Sequence, residues 1–366
     1  MTEPRYTSLR ERHEALGASF TDFGGWQMPV RYTSDLAEHH AVRQAAGIFD
    51  ISHMAEFTVV GAGAGDYLDN ALAGRLSALA VGKAKYSLLL AEDGGIIDDV
   101  IVYRLADDDF LIISNAGNRE AVRAALLARV TSDEVAVEDV SDAYALIAVQ
   151  GPKAEAILSE TPGIDDVSIP WAEQKYYAWA SATYDGTAIL LARTGYTGED
   201  GFELLVAASD ASTLWDAILA AGESHGLVPA GLAARDTLRL EAGMPLYGHE
   251  LTRETKPAQA GLGRVVVADK ERFVGKGAVI PAEDAPVLVG LVAEGRRAGR
   301  AGYAVVLEDG TAVGEVTSGA LSPTLGHPIA MAYIAPEAAD QTLFLDVRGT
   351  RIPATVTALP FYRRKK

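Results

Sequence analysis

Cysteine is absent from the 366 residues of this chain. That absence excludes disulfide bonds, thiolate metal sites and a thiol nucleophile. Long hydrophobic runs are missing too, since no apolar stretch approaches the ~18 residues of a transmembrane helix. The first twenty residues mix arginine with glutamate around no apolar core, so neither a signal peptide nor a transit peptide fits. We therefore expect a cytoplasmic protein that does not associate with membranes.

Positive charge is scarce, with 32 basic against 50 acidic residues and a net charge of −18. Nucleic-acid binders normally present a basic face because phosphate contacts dominate their affinity, so we expect no nucleic-acid partner. The seven histidines do not cluster, and we expect no metal site. At ~150 residues per domain, the length indicates two or three domains.

Patterns of hydrophobic residues and turn residues predict an α+β protein with an all-β end. Leu9, His13 and Leu16 recur near helical spacing and predict a helix through Phe20. A second helix is predicted at residues 35–44, with Thr33 or Ser34 as its N-cap. Residues 86–114 predict an antiparallel meander of three strands.

Further along the chain, residues 179–184 and 187–192 predict a hairpin around Asp185-Gly186. A long helix is predicted at residues 211–226. Beyond Pro257 the strands become short and punctuated by glycine, such as residues 287–293. We predict domains at residues 1–140, 141–280 and 281–366. The first would share part of its sheet with the second, and the third would be a β-barrel.

Two adjacent carboxylates, Asp98 and Asp99, interrupt a β-branched run. Alternation along a strand places them on opposite faces, so one should point toward the interior or a cleft. A buried carboxylate needs partners or becomes protonated, which makes the pair a candidate site. An edge strand that bends outward is the alternative.

Four other polar segments are candidates. Three glycines within residues 193–203 would allow close backbone approach to a ligand, although a plain hairpin loop also fits. Arg235 and Asp236 at a helix start suit either an ion pair or an anion clamp. Residues 49–54 fit a strand end with a capped turn, and residues 318–324 form a polar loop.

These segments and others, in this order, resemble the T-protein family of the glycine cleavage system, the aminomethyltransferases. The matching motifs lie at residues 22–29, 49–54, 94–99, 149–152, 195–203, 233–241, 244–248 and 318–326. The resemblance implies a monomer of three domains in a cloverleaf around a tetrahydrofolate pocket. It also implies transfer of a methylene carbon from the lipoyl arm of H-protein to tetrahydrofolate, with release of ammonia and no metal.

The resemblance assigns roles to two carboxylates. Asp99 matches the catalytic aspartate, which would lie beside folate N10 and act by positioning and electrostatics, while Asp98 would be structural. Glu203, rather than Glu199, matches the residue that accepts two N–H groups of the pterin.

Other pocket residues follow from the same motifs. Wall residues that pack on flat rings would be Met54, Tyr86 and Tyr196, while Ile113 and Asn115 would contact the pterin. Arg235 would either pair with Asp99 or bind the carboxylate end of the folate. Tyr247 and Tyr362 would reach the folate tail.

Alternative functions remain open at this point. One is another folate-dependent one-carbon transfer or demethylation enzyme of the same fold. Another is a non-catalytic folate-binding protein that assists iron–sulfur assembly, but those relatives use a cysteine motif that this chain lacks. The basic run Arg296-Arg297-Ala298-Gly299-Arg300 is either a contact for H-protein or a solvated loop.

Overall fold

The computed structural model describes residues 4–364. Its helices are α1 (Arg10–Ala15), α2 (Asp35–Gln44), α3 (Ala64–Ala71), α4 (Arg119–Ala128), α5 (Ala154–Glu160), α6 (Ala211–Gly222) and α7 (Leu232–Glu241). The first strands are β1 (Ser19–Phe23), β2 (Trp26–Arg31), β3 (Ala46–Asp50), β4 (Ala55–Val60), β5 (Ala84–Leu90), β6 (Ile96–Ala106), β7 (Asp109–Ser114) and β8 (Ala136–Asp139). Within these residues, no helix is long and apolar enough to cross a membrane.

The remaining strands complete the second sheet and the C-terminal barrel. They are β9 (Tyr144–Gln150), β10 (Ile164–Asp165), β11 (Trp179–Tyr184), β12 (Thr187–Ala192), β13 (Gly201–Ala207), β14 (Leu227–Pro229), β15 (Val287–Ala293), β16 (Ala304–Val306), β17 (Ala312–Leu321), β18 (Pro328–Ile334), β19 (Leu343–Val347) and β20 (Thr350–Thr357).

A five-stranded antiparallel sheet has the order β5-β6-β7-β4-β8. The predicted meander is confirmed as β5, β6 and β7. Alternating apolar residues of the sheet, such as Phe57 and Phe110, pack on Leu68 of α3 and Val122 of α4. The opposite face of this sheet is therefore free to meet the rest of the molecule.

A seven-stranded sheet has the order β10-β11-β12-β13-β9-β3-β14. Strand β3 precedes the five-stranded sheet in the chain yet joins this one, pairing with β9 and β14. Helices α5 and α6 cover one face through Ile157 and Trp215. The other face meets the five-stranded sheet in one buried cluster that includes Phe49, Tyr103 and Leu205. The domain boundaries at residues 140 and 280 stay predictions.

The C-terminal strands close a barrel in the order β15-β18-β17-β16-β19-β20. Its core contains Leu291, Val316 and Leu345. The predicted α+β fold with a C-terminal β-barrel is confirmed. Several predicted elements also have the observed limits, including α2, the β11–β12 hairpin and β15, and the Ser34 hydroxyl caps α2 by accepting from the Ala37 amide at 3.4 Å.

The predicted helix through Phe20 is wrong. Helix α1 ends at Ala15, and Gly17 takes the left-handed conformation, with φ of 74°, that commonly terminates a helix. Ser19–Phe23 then pairs with Trp26–Arg31 as a separate two-stranded hairpin. The helix predicted at residues 211–226 is also shorter, because it ends at Gly222 and one 3-10 turn follows.

Candidate active site

A cavity of about 600 Å³ lies between the five-stranded and seven-stranded sheets, beside the start of α7. Strands β5, β6, β7 and β13, the β1–β2 hairpin and the segment after α7 all contribute to its wall. Eight of the residues predicted for the site line it: Met54, Tyr86, Asp99, Ile113, Asn115, Tyr196, Glu203 and Arg235. The fold thus brings residues more than 180 positions apart in the chain to the wall of one cavity.

Asp98 and Asp99 lie on opposite faces of β6, as alternation requires. Strand β6 runs between β5 and β7, which excludes the alternative of an edge strand that bends outward. Asp99 lines the cavity and accepts hydrogen bonds from the Tyr86 hydroxyl at 3.0 Å and from Asn115 Nδ2 at 2.8 Å. Asp98 has no exposed surface and accepts from Asn118 Nδ2 at 2.6 Å.

The side-chain amide of Asn115 bridges the two carboxylates. Its Nδ2 also donates to Asp98 Oδ1 at 2.8 Å, and its backbone N–H donates to Asp98 Oδ2 at 2.9 Å. Burial raises the pKa of both aspartates, and the charge of Asp99 raises the pKa of Asp98 further. The donors from Tyr86 and Asn115 oppose this effect at Asp99 by favouring its ionised form.

Glu203 is 8% exposed and ends a chain of hydroxyl groups. Thr194 Oγ1 donates to Glu203 Oε2 at 2.5 Å, and the Tyr103 hydroxyl lies 3.2 Å from Thr194 Oγ1. Burial raises the pKa of Glu203, while the Thr194 hydrogen bond and the charge of Arg235 lower it. One carboxylate oxygen is therefore held by the protein, and the described residues donate no hydrogen bond to the other.

Arg235 projects from the first turn of α7 with its guanidinium 4.8 Å from the centre of the Tyr196 ring. Its Nη1 atom is buried without a hydrogen-bond partner. Within residues 4–364 no carboxylate forms an ion pair with it, so this structure does not contain the predicted alternative in which Arg235 pairs with Asp99. Burial lowers the pKa of Arg235, and nearby Glu203 raises it.

Two of the predicted tail residues lie outside the cavity wall. The Tyr247 hydroxyl donates to the Ile96 carbonyl at 2.9 Å. The ring of Tyr362 stacks on the guanidinium of Arg43, 4.1 Å from its centre. The polar loop at residues 318–324 is not part of the cavity wall. Its Ser318 accepts from Arg239 at 2.7 Å, and Thr324 donates to Glu241.

Sequence analysis did not single out several polar residues of this site, among them Tyr103 and His53 in the wall and Thr194 behind Glu203. Tyr103 is four positions after Asp99 on β6, so the period of two that separated Asp98 from Asp99 could have identified it. Thr194 and His53 lie in segments that were already candidates, but only the folded chain aims them at the site. Among the described residues, no group of three or more histidines and acidic residues could hold a metal ion.

Comparison with known proteins identifies the family. Residues 9–270 match the model of the GCVT N-terminal domain, and residues 287–363 match the glycine cleavage T-protein C-terminal barrel domain. The chain belongs to the glycine cleavage T-protein family. The family resemblance seen in the sequence is thereby confirmed.

Individual relatives of the T-protein family agree with this assignment. The aminomethyltransferase of Saccharopolyspora erythraea is 53% identical over 370 residues, and that of Cutibacterium acnes is 55% identical over 376 residues, with both chains fully covered in each case. The crystal structure of glycine cleavage system aminomethyltransferase T from Bartonella henselae superposes with a TM-score of 0.90 at 36% identity, covering 99% of each chain. The predicted function, an aminomethyltransferase of the glycine cleavage system, is confirmed.

Proposed function

We propose that the cavity binds tetrahydrofolate and that Asp99 promotes transfer of a methylene carbon to it from the aminomethylated lipoyl arm of H-protein. One observation carries this proposal. A carboxylate held by two donors, Tyr86 and Asn115, faces an enclosed cavity of about 600 Å³ that also contains the buried carboxylate of Glu203. A fixed negative charge in such a place can stabilise a cation that forms during the reaction.

The pterin ring would bind at Glu203. A pterin presents adjacent N–H donors, and a carboxylate can accept two such donors in parallel. Thr194 orients Glu203 and helps to keep it ionised. Tyr86, Tyr196, Met54 and Ile113 would pack on the flat rings. Since Asn115 Nδ2 is bound to both aspartates and its backbone N–H is bound to Asp98, its side-chain oxygen is left for the pterin.

The reacting atom is the transferred carbon, which is bonded to the lipoyl sulfur and to the amine nitrogen. Departure of one heteroatom leaves a cationic carbon stabilised by the other, and folate N5 attacks it. Departure of the second heteroatom then gives an iminium at N5, which N10 attacks to close the ring. In balance, N5 and N10 each lose a proton, one of which is carried by the departing ammonia and the other by the lipoyl sulfur. Asp99 would stabilise the cationic carbon and hold N10 in position.

Arg235 would bind the carboxylate end of the folate, because its guanidinium lacks a carboxylate partner in the free site. A role for Tyr247 and Tyr362 requires that the tail extend past the cavity. We also propose that Arg296, Arg297 and Arg300 contact an acidic H-protein. All three arginines are exposed, and none of them forms an ion pair within residues 4–364. A monomeric state and a cytoplasmic location stay predictions.

The test is an ammonia-release assay with purified protein, aminomethylated H-protein and tetrahydrofolate. Ammonia and 5,10-methylenetetrahydrofolate should form in equal amounts, and omission of folate should reduce the release to the rate without enzyme. Release that is independent of folate would overturn the proposal. Consumption of dimethylglycine or sarcosine in place of the H-protein substrate would favour the demethylase alternative instead.

A further inference from the structure

Three histidines are buried among the described residues, and they differ in their hydrogen bonding. His13 and His39 are 1% and 0% exposed. His13 bonds to Asp50 at 2.8 Å and to Tyr32 at 2.9 Å through its two ring nitrogens. His39 likewise bonds to the hydroxyls of Thr237 and Thr324 at 2.7 and 2.9 Å. In these two residues the fold satisfies the whole imidazole.

His53 is the exception. It is 4% exposed, and its Nδ1 is enclosed without a hydrogen-bond partner. Within residues 4–364, Nε2 makes no hydrogen bond either. The ring is held by packing alone, with the edge of Phe23 at 5.4 Å between centroids and an interplanar angle of 87°. At Nδ1 the imidazole has lost water without gaining a protein partner, whereas Nε2 is not buried in this way.

The position of His53 suggests where its partner comes from. His53 and Phe23 both line the proposed folate cavity, together with Asp99, Glu203 and Arg235. Burial lowers the pKa of His53 to about 4, although the charge of Asp50 raises it, and the charge of Arg235 contributes a still smaller lowering of this pKa. The ring is therefore neutral at physiological pH and carries one N–H donor and one free lone pair.

We propose that His53 is a ligand-binding residue of this cavity and that its imidazole Nε2 accepts a hydrogen bond from an N–H group of a bound reactant. Both reactants offer such groups: the reduced pterin carries ring N–H donors, and the donor carbon carries the amine that leaves as ammonia. This inference rests on the proposed function, because it takes the cavity to be the folate site. His53 binds and orients in this account, and it transfers no proton.

The experiment compares His53→Phe with His53→Gln. Phenylalanine keeps the ring shape without nitrogen, and glutamine restores a hydrogen-bond acceptor near the position of Nε2. Two arms separate the sources of the N–H group: the dissociation constant for tetrahydrofolate alone, and kcat for ammonia release with aminomethylated H-protein at saturating folate. Loss of one hydrogen bond predicts an effect of about tenfold. A higher dissociation constant for tetrahydrofolate in His53→Phe assigns the hydrogen bond to the pterin. A lower kcat with an unchanged dissociation constant assigns it to the amine.

The matched control is the free energy of unfolding, compared between His53→Phe and His39→Phe. Removing an unpartnered nitrogen should leave the free energy of unfolding of His53→Phe unchanged or higher, whereas His39→Phe should be destabilised because it breaks two satisfied bonds. The proposal is overturned if His53→Phe changes neither the dissociation constant nor kcat by more than about twofold, or if His53→Gln loses as much as His53→Phe. If His53→Phe does not fold, His53→Leu takes its place. Absence of folate binding by the unmodified protein would overturn the proposed function instead.

Discussion

Two regions of this molecule bury polar side chains in opposite ways. The first is the cavity wall, and the second is a group of charged and polar side chains where α2, α7 and the C-terminal barrel meet, which we name the α2–α7 cluster. Its members are His39, Arg43, Glu199, Glu241, Ser322 and Thr324. In the cluster, Arg43 pairs with Glu199 at 3.0 Å and with Glu241 at 2.8 Å.

The central groups of the α2–α7 cluster have hydrogen-bond partners, whereas two groups of the cavity wall do not. Glu241 accepts from Arg43, Ser322 and Thr324. In the cavity wall, Arg235 and His53 each keep a buried nitrogen without a partner. Helix α7 contains one arginine of each kind. Arg239, one turn after the unpartnered Arg235, pairs with Asp236 at 2.7 Å and with Glu250 at 3.0 Å. The contrast indicates that the cluster holds the fold together and that the cavity is built for a ligand.

The largest expected effect comes from breaking the cluster. Burial raises the pKa of Glu241, but the hydrogen bonds of His39 and Ser322 and the charge of Arg43 lower it to about 2. Glu241→Gln should reduce the free energy of unfolding by about 3 kcal/mol, because it removes one of the two carboxylates that pair with the buried cation Arg43. Urea denaturation measures this loss, which an unchanged midpoint would contradict.

The same group gives a pH dependence with a defined sign. Because the folded pKa of Glu241 lies below its ordinary value, its stabilisation is present above about pH 4.5 and is lost as the pH falls toward 2. Glu241→Gln should lack this part of the acid dependence.

The next largest effect should separate Asp99 from Asp98. Asp99→Asn should lower kcat by about 100-fold or more while folate affinity changes little, because it removes the charge that faces the cavity. Asp98→Asn should mainly reduce stability, since Asp98 accepts from Asn115 and Asn118. Steady-state kinetics and thermal unfolding of both variants measure the two effects. A greater loss of kcat in Asp98→Asn would reverse the assignment.

A smaller effect is expected at the hydroxyl that orients Glu203. Thr194→Val keeps the shape but removes the donor to Glu203 Oε2, so folate should bind about tenfold more weakly. Thr194→Ser keeps the hydroxyl and should bind nearly as well as the unmodified protein. Calorimetric titration with tetrahydrofolate compares the three proteins. Equal affinities for Val and Ser would remove Thr194 from the site.

Glu56 is a buried group without a hydrogen-bond partner that lies outside both the cavity wall and the α2–α7 cluster. It is 1% exposed with both carboxyl oxygens unpartnered, yet it does not line the cavity. Burial raises its pKa well above the ordinary value, so the folded state favours the protonated acid. The free energy of unfolding should therefore fall as the pH rises above about 4.5, and Glu56→Gln should flatten that fall. Parallel pH curves for the two proteins would contradict this account.

Local patterns predicted most of the elements but not the way they assemble. The limits of α2, β11, β12 and β15 follow from period and turn residues, which act over a few positions. The β1–β2 hairpin was missed because helical spacing around His13 continued into it, and only Gly17 marked the boundary. The membership of β3 in the second sheet depends on pairing with β9, about 100 residues away, which no local pattern contains.

The same limit applies to the site. Alternation predicted that Asp98 and Asp99 face opposite ways, and family motifs indicated Glu203 and Arg235. Which buried group has a partner depends on contacts between distant segments, such as Thr237 and Thr324 around His39. For this reason the state of Arg235 was open in the sequence, and the difference between His39 and His53 could not be seen there.

The most direct measurement is the shift in unfolding temperature that tetrahydrofolate causes, compared between Glu203→Gln and Glu241→Gln. A ligand raises the stability of the protein according to its concentration relative to the dissociation constant, whatever the starting stability. The account predicts that Glu241→Gln unfolds at a lower temperature but gains the same folate-dependent stabilisation as the unmodified protein. Glu203→Gln should keep its starting stability and lose most of that gain. A full folate-dependent shift in Glu203→Gln would contradict the assignment of the cavity as the folate site.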